Sequence, residues 1–190
     1  KHISTKNRNY DELYGQIFES EEIKGAELEK ISSIVDLGCG VNGFSYRFLK
    51  EVVGEVDYTG VEAVGQLVDN INEFFEKEKF SKAGVVWGDL FDIDFVLKIL
   101  KKQKKSRVVF LFQVIDAFEK FEKGFTKKFL LEIMKECELF VLSFPTWSLS
   151  GKSKFKVSRD WLWRFVEEEF ELLKQFSIHG EKFLIIKNKN

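Results

Sequence analysis

Proline is all but missing from this chain of 190 residues, with Pro145 the only one. Helices and strands therefore face few forced breaks, and the lone proline marks a place to read closely. Cysteine is nearly as scarce. Cys39 and Cys137 lack metal-ligand spacing and nothing supports a disulfide between them, so a reduced, cytoplasmic setting is expected and no metal is. No apolar run approaches a membrane span and no secretory leader is read, so no membrane partner is expected. Net charge is missing too: 30 basic and 31 acidic residues leave −1, which counts against a polycation and makes local clustering the informative feature. No internal repeat or low-complexity tract is present.

Phenylalanine is abundant, at 21 residues, and predicts an aromatic core. The length suits one domain, and a monomer is expected. Residues 1–9 are polar and basic. Tyr10, Leu13, Tyr14, Ile17 and Phe18 then recur at helical spacing, and a second short helical stretch runs to Lys30. Residues 1–30 read as a helical lead-in to a domain over 31–190.

Within that domain, strands are predicted at Ser32–Asp36, Val56–Val61, Ala83–Trp87, Arg107–Phe112 and Leu139–Phe144. Helices separate them. One follows the first strand with Phe44, Phe48 and Val52 as its apolar face, and another carries Leu67, Val68, Ile71, Phe74 and Phe75. A third spans Asp92–Leu100, with the lysines of 101–105 in a solvated turn. A fourth is capped by Thr126 and a fifth by Ser158. Two last strands, near Phe170–Ile178 and Lys182–Lys187, join through His179-Gly180 as a hairpin. The pattern predicts an α/β fold: a doubly wound, mostly parallel seven-stranded sheet with a C-terminal antiparallel hairpin.

Ligands of such sheets bind at the carboxyl ends of the strands. The first strand ends in Val35-Asp36-Leu37-Gly38-Cys39-Gly40, a Gly-x-Gly turn that brings backbone amides close to a ligand. Gly43 completes a dinucleotide-like glycine spacing, so the glycines alone leave NAD and S-adenosylmethionine (SAM) open. The acid before the first glycine resembles motif I of the class I SAM methyltransferases. Glu62, closing the second strand with Ala63 behind it, can accept from ribose hydroxyls of either cofactor. Asp89, with the Leu90 amide, follows the third strand, where SAM methyltransferases hold adenine. Neither an Asn/Asp-Pro-Pro-Tyr signature nor a Pro-Cys nucleophile is present, which points to an acceptor that needs no proton removed, such as guanine N7.

The segment after the fifth strand is the most distinctive: Ser143-Phe144-Pro145-Thr146-Trp147-Ser148-Leu149-Ser150-Gly151-Lys152-Ser153-Lys154-Phe155-Lys156. Alternating lysines can track phosphates and an aromatic can stack on a base. It resembles the Ser-Phe-Pro-Thr-x-Ser-Leu-x-Gly-Arg-x-Lys segment of the aminoglycoside-resistance methyltransferases that modify guanine N7 in the decoding region of 16S rRNA. His2, Ser4, Thr5, Lys6 and Arg8 resemble that family's His-x-Ser-Thr-Lys-x-Arg run. The resemblance covers essentially the whole chain. It implies SAM as cofactor, 16S rRNA in the 30S subunit as partner, and antibiotic resistance as a phenotype.

Residue by residue, it implies that Arg8 contacts the SAM carboxylate and that Asp36, Gly38 and Gly40 line its amino-acid end. Glu62 and Ala63 would take the ribose, and Asp89 with Leu90 the adenine. Gln113 would also touch the cofactor, and with Ser143 and Pro145 would position the reactants, while Trp147, Lys152, Lys154 and Lys156 would face RNA. The chain departs from the family at Glu62 (Asp there), Gln113 (Lys), Asp116 (Pro), Gly43 (Pro) and Trp147 (Arg). A small-molecule methyltransferase and a SAM- or RNA-binding module without catalysis are the other readings.

Overall fold

A computed structural model describes residues 8–19, 23, 30–146 and 159–189. Its sheet has seven strands: β1 (Ser33–Leu37), β2 (Asp57–Glu62), β3 (Ala83–Trp87), β4 (Arg107–Phe112), β5 (Leu139–Pro145), β6 (Phe170–Ile178) and β7 (Glu181–Asn188). Their order is β3-β2-β1-β4-β5-β7-β6. The first five are parallel, and β7 pairs antiparallel with both β5 and β6.

Strand side chains alternate between two cores. Val35, Leu37, Val109, Leu111, Phe140 and Leu142 face one side. Ile34, Val108, Phe110, Val141, Phe183 and Ile185 face the other. Burial on both faces is why these strands read as continuous apolar runs. Helices α1 (Tyr10–Phe18), α2 (Tyr46–Val53) and α3 (Gly65–Lys77) cover the second core. The first core is covered by α4 (Ile93–Lys102), α5 (Ile115–Phe121), α6 (Phe125–Ile133) and α7 (Asp160–Glu169). No helix among the described residues is long and apolar enough to cross a membrane.

The hairpin forms where the sequence places it. His179 and Gly180 both have positive φ, 45° and 80°, the pairing a two-residue turn between twisted strands requires.

Several local expectations are corrected. The chain after motif I first makes a 3₁₀ segment, Gly40–Ser45, and α2 then buries Tyr46 and Leu49; Phe44, Phe48 and Val52 pack only half-buried at the edge of the core. Thr126 does not cap α6. The carboxylate of Glu119 does so from the preceding helix, accepting from the Gly124 amide at 2.9 Å and the Thr126 amide at 3.1 Å. Helix α5 itself was not foreseen, and α4 continues through Lys101 and Lys102. The expected Ser158 cap and most of the helical stretch before Lys30 lie outside the described residues.

Candidate active site

Strand order reverses at β1: β2 and β3 lie to one side, β4 and β5 to the other. The crevice outside the carboxyl ends of β1 and β4 is thus the place where a doubly wound sheet receives a ligand. Gly38 and Gly40 turn the chain there with φ of 69° and 51°, in the left-handed region. A Cβ at Gly38 would lie 2.8 Å from Val114 Cγ2 and 3.4 Å from Leu90 Cδ1, so the loop after β4 and the loop after β3 both close on this glycine.

Glu62 serves the same turn from β2. Its Oε2 accepts from the Gly40 amide and its Oε1 from the Val64 amide, each at 2.9 Å. Each carboxylate oxygen has a second lone pair, so both can accept another hydrogen bond. Ala63 is exposed, and its carbonyl accepts from Trp87 Nε1 at 2.9 Å, laying an exposed indole beside the Glu62 rim. Asp89 is exposed and its Oδ1 accepts from the Phe91 amide.

Asp36 is placed differently from its reading as a ligand-facing residue. It is fully buried, and its Oδ2 accepts from Asn42 Nδ2 at 2.6 Å and Tyr58 OH at 2.8 Å. It braces the glycine turn from behind. Its Oδ1 has no partner. Burial pushes its pKa up to about 6, although the hydrogen bonds from Asn42 and Tyr58 and the charge of Arg8 pull the other way.

Arg8 arrives from the segment before α1. Its Nη2 donates to both oxygens of Glu181 at 2.8 Å, its Nη1 donates to Asn42 Oδ1 at 3.2 Å, and its guanidinium lies 5.3 Å from the Phe112 ring centroid. Burial works to lower the pKa of Arg8, but the charge of Glu181 and its hydrogen bond outweigh burial and raise it. Nε is buried without an acceptor. Asn42 therefore links Arg8 to Asp36.

From Glu181 the network reaches the ends of β4 and β5. Ser143 Oγ donates to Glu181 Oε1 at 2.5 Å and accepts from the Gln113 amide at 3.2 Å. Gln113 has φ of 61°, a conformation a side chain rarely adopts and one that clusters at functional positions. Pro145, two residues beyond Ser143, accepts through its carbonyl from Arg159 Nη1 at 2.8 Å. Arg159 also grips both oxygens of Asp116, at 2.6 and 2.8 Å, and lies 4.7 Å from the Phe144 ring centroid.

The structure thus gathers Arg8, Gly38, Gly40, Glu62, Leu90, Gln113 and Ser143 at one end of the sheet. Trp147, Lys152, Lys154 and Lys156 lie outside the described residues. Three contributors escaped the sequence reading: Tyr58, Arg159 and Glu181. Tyr58 looks like an ordinary strand aromatic. Glu181 carried a signal: it shares the strand face of the buried Phe183 and Ile185, where an acid is out of place without a cation.

No protein-family model and no curated protein matches the sequence. Among solved structures, the chain is similar to the 16S rRNA methylase ArmA, with 19% identity, a TM-score of 0.65, and coverage of 95% of this chain and 82% of that one. The fold is that of a class I methyltransferase. It is similar also to the 16S rRNA methyltransferase RmtF in complex with S-adenosyl-L-homocysteine, at 17% identity and a TM-score of 0.65; 94% of this chain is covered but only 64% of RmtF, under two thirds. An O-methyltransferase family protein from Burkholderia thailandensis aligns with 99% of this chain and 62% of its own, at 11% identity and a TM-score of 0.61. At such identities the likeness is one of architecture.

Proposed function

We propose that this chain is a SAM-dependent methyltransferase whose acceptor is RNA, with guanine N7 in the decoding region of 16S rRNA as the target. The observation that carries the reading is the left-handed Gly38–Gly40 turn at the switch point, rimmed by Glu62 and faced by a buried arginine. Arg8 supports it further: a buried Nε–H without an acceptor is costly, and a carboxylate from the amino-acid end of SAM would relieve it. Glu62 keeps lone pairs for two ribose hydroxyls, and Asp89 is exposed for the adenine amino group. Asp36 acts through Asn42 and Tyr58, fixing the turn rather than touching the ligand.

When bound, SAM supplies a methyl group activated on a sulfonium. A guanine N7 lone pair needs no base, so the residues here have to orient the acceptor and exclude water. The site is built accordingly. Ser143 is committed as a donor to Glu181, and the backbone of Gln113 is fixed to Ser143, which gives a rigid wall. Lys152, Lys154 and Lys156 are read for RNA on sequence alone. The proposal carries with it a cytoplasmic protein and resistance to aminoglycosides.

The test is transfer of labelled methyl from SAM to purified 30S subunits and to naked 16S rRNA, with the product mapped by cleavage at N7-methylguanine. One mapped guanine in the decoding region is expected. SAM binding without transfer to either RNA would favour a small-molecule acceptor.

A further inference from the structure

We infer that the corner between α5 and α6 is a second docking surface for RNA, apart from the cofactor crevice; the inference rests on the proposal that the acceptor is RNA. Helix α5 leaves the carboxyl end of β4, and α6 runs back to feed β5, which is parallel to β4. The corner therefore stands on the same rim of the sheet as the glycine turn.

Phe121 marks it. This ring is 70% exposed, the most exposed large apolar side chain among the described residues. It lies against Phe91, with centroids 4.1 Å apart at an interplanar angle of 38°. Phe91 is held in turn by Phe118 and Phe125, at 5.4 and 5.1 Å. A solvated phenylalanine on a rigid aromatic base is a ready platform for a nucleobase.

The surrounding charge matches phosphate. Lys120, Lys123, Lys127 and Lys128 are all exposed and none forms an ion pair among the described residues; Lys127 turns its Nζ to the Phe165 ring of α7, 5.3 Å from the centroid, which leaves Lys120, Lys123 and Lys128 for the corner. Elsewhere Lys50, Lys77, Lys104 and Lys135 each reach a carboxylate. Lys127 and Lys128 also sit in the first turn of α6, which holds no acid, where the helix dipole disfavours cations. Glu119 is turned to the Gly124 and Thr126 amides, which places its carboxylate at the start of α6, and it reaches no lysine among the described residues. Residues 119–128 thus hold four lysines against two acids, Glu119 and Glu122. Exposed cations within a few residues of a bare aromatic, one of them kept against a helix dipole, fit a nucleic-acid backbone with one base stacked, and fit an apolar protein partner poorly.

The experiment compares the parent with K120Q/K123Q/K128Q and, separately, F121A. The probes are purified 30S subunits and a synthetic hairpin of the 16S decoding region, each titrated across a range of salt. Neutralising three lysines is expected to weaken binding about tenfold or more and to flatten the log–log salt slope by roughly two to three. F121A is expected to weaken binding roughly fivefold to a hundredfold with the salt slope kept. SAM affinity and thermal midpoint should stay at the parent's values in both. If the parent binds RNA and both variants bind equally well with the same slope, the docking surface is wrong and the RNA reading stands. If the parent binds neither probe, both are wrong.

Discussion

The guanidinium of Arg8 and the carboxylate of Glu181 meet at 2.8 Å across a separation of 173 residues, with both side chains almost wholly buried. Pairs of this kind need each other more than the fold needs the pair. Removing one partner strands a charge inside the protein, at a cost of about 3–5 kcal/mol, whereas removing both is far milder. Glu181→Ala should therefore lower unfolding stability by about that amount, and R8A/E181A should lose less than the sum of the two single changes. Urea unfolding of the four proteins measures this. Single variants within about 0.5 kcal/mol of the parent would mean that the pair is solvated in solution.

Asp36 makes stability fall with rising pH. Burial holds its pKa at about 6, above the ordinary 3.8, so the folded state keeps this proton where the unfolded state has released it. Its contribution is intact below pH 4 and is lost as pH climbs through 6, by roughly 3 kcal/mol in all. In Asp36→Asn the pH dependence between 4 and 7 should flatten relative to the parent. Parallel slopes in urea titrations at several pH values would contradict this account.

Gly38 is constrained twice, by its φ of 69° and by Val114 Cγ2, 2.8 Å from where a Cβ would stand. Gly38→Ala should cost roughly 2 kcal/mol or more, since the left-handed conformation alone accounts for about 1–2 kcal/mol. Adding Val114→Ala should recover the steric share and leave the conformational share. Calorimetric titration with SAM should show binding lost in G38A. Full recovery in the double variant would show that crowding alone was at fault.

Glu62 holds two amides of neighbouring turns with one oxygen each. Hydrogen bonds to a charged group contribute about 1.5–3 kcal/mol, so Glu62→Ala should weaken SAM roughly tenfold or more by loosening the turn as well as removing the acceptor. Glu62→Gln keeps one acceptor oxygen and should fall between the two. SAM affinity unchanged in E62A would remove this residue from the site.

Much of this architecture was legible because parallel strands are buried on both faces and write themselves as apolar runs. The glycine turn and His179-Gly180 were legible for the same kind of reason: few residues tolerate those backbone angles. What stayed hidden was settled by distant partners. Seven residues of α5 are too few to display a helical period. Thr126 has the right chemistry for a cap, but the helix begins one residue before it, and Glu119 takes the Gly124 and Thr126 amides at that start. Asp36 ends an apolar run as a ligand acid would, yet Tyr58 and Asn42 draw it inward. The partner that Glu181 needs lies at the other end of the chain.

That last pairing orders the events of synthesis. A growing polypeptide has its glycine turn, its first five strands and Arg8 long before residue 181 exists. Until the hairpin turn at 179–180 has folded back, Arg8 has Asn42 and the Phe112 ring but lacks its carboxylate partner. A chain cut short just before Glu181 would lack that partner and also the buried Phe183, Leu184, Ile185 and Ile186 of β7, which fill both cores. Competence arrives as one late step, with the final hairpin acting as the clasp.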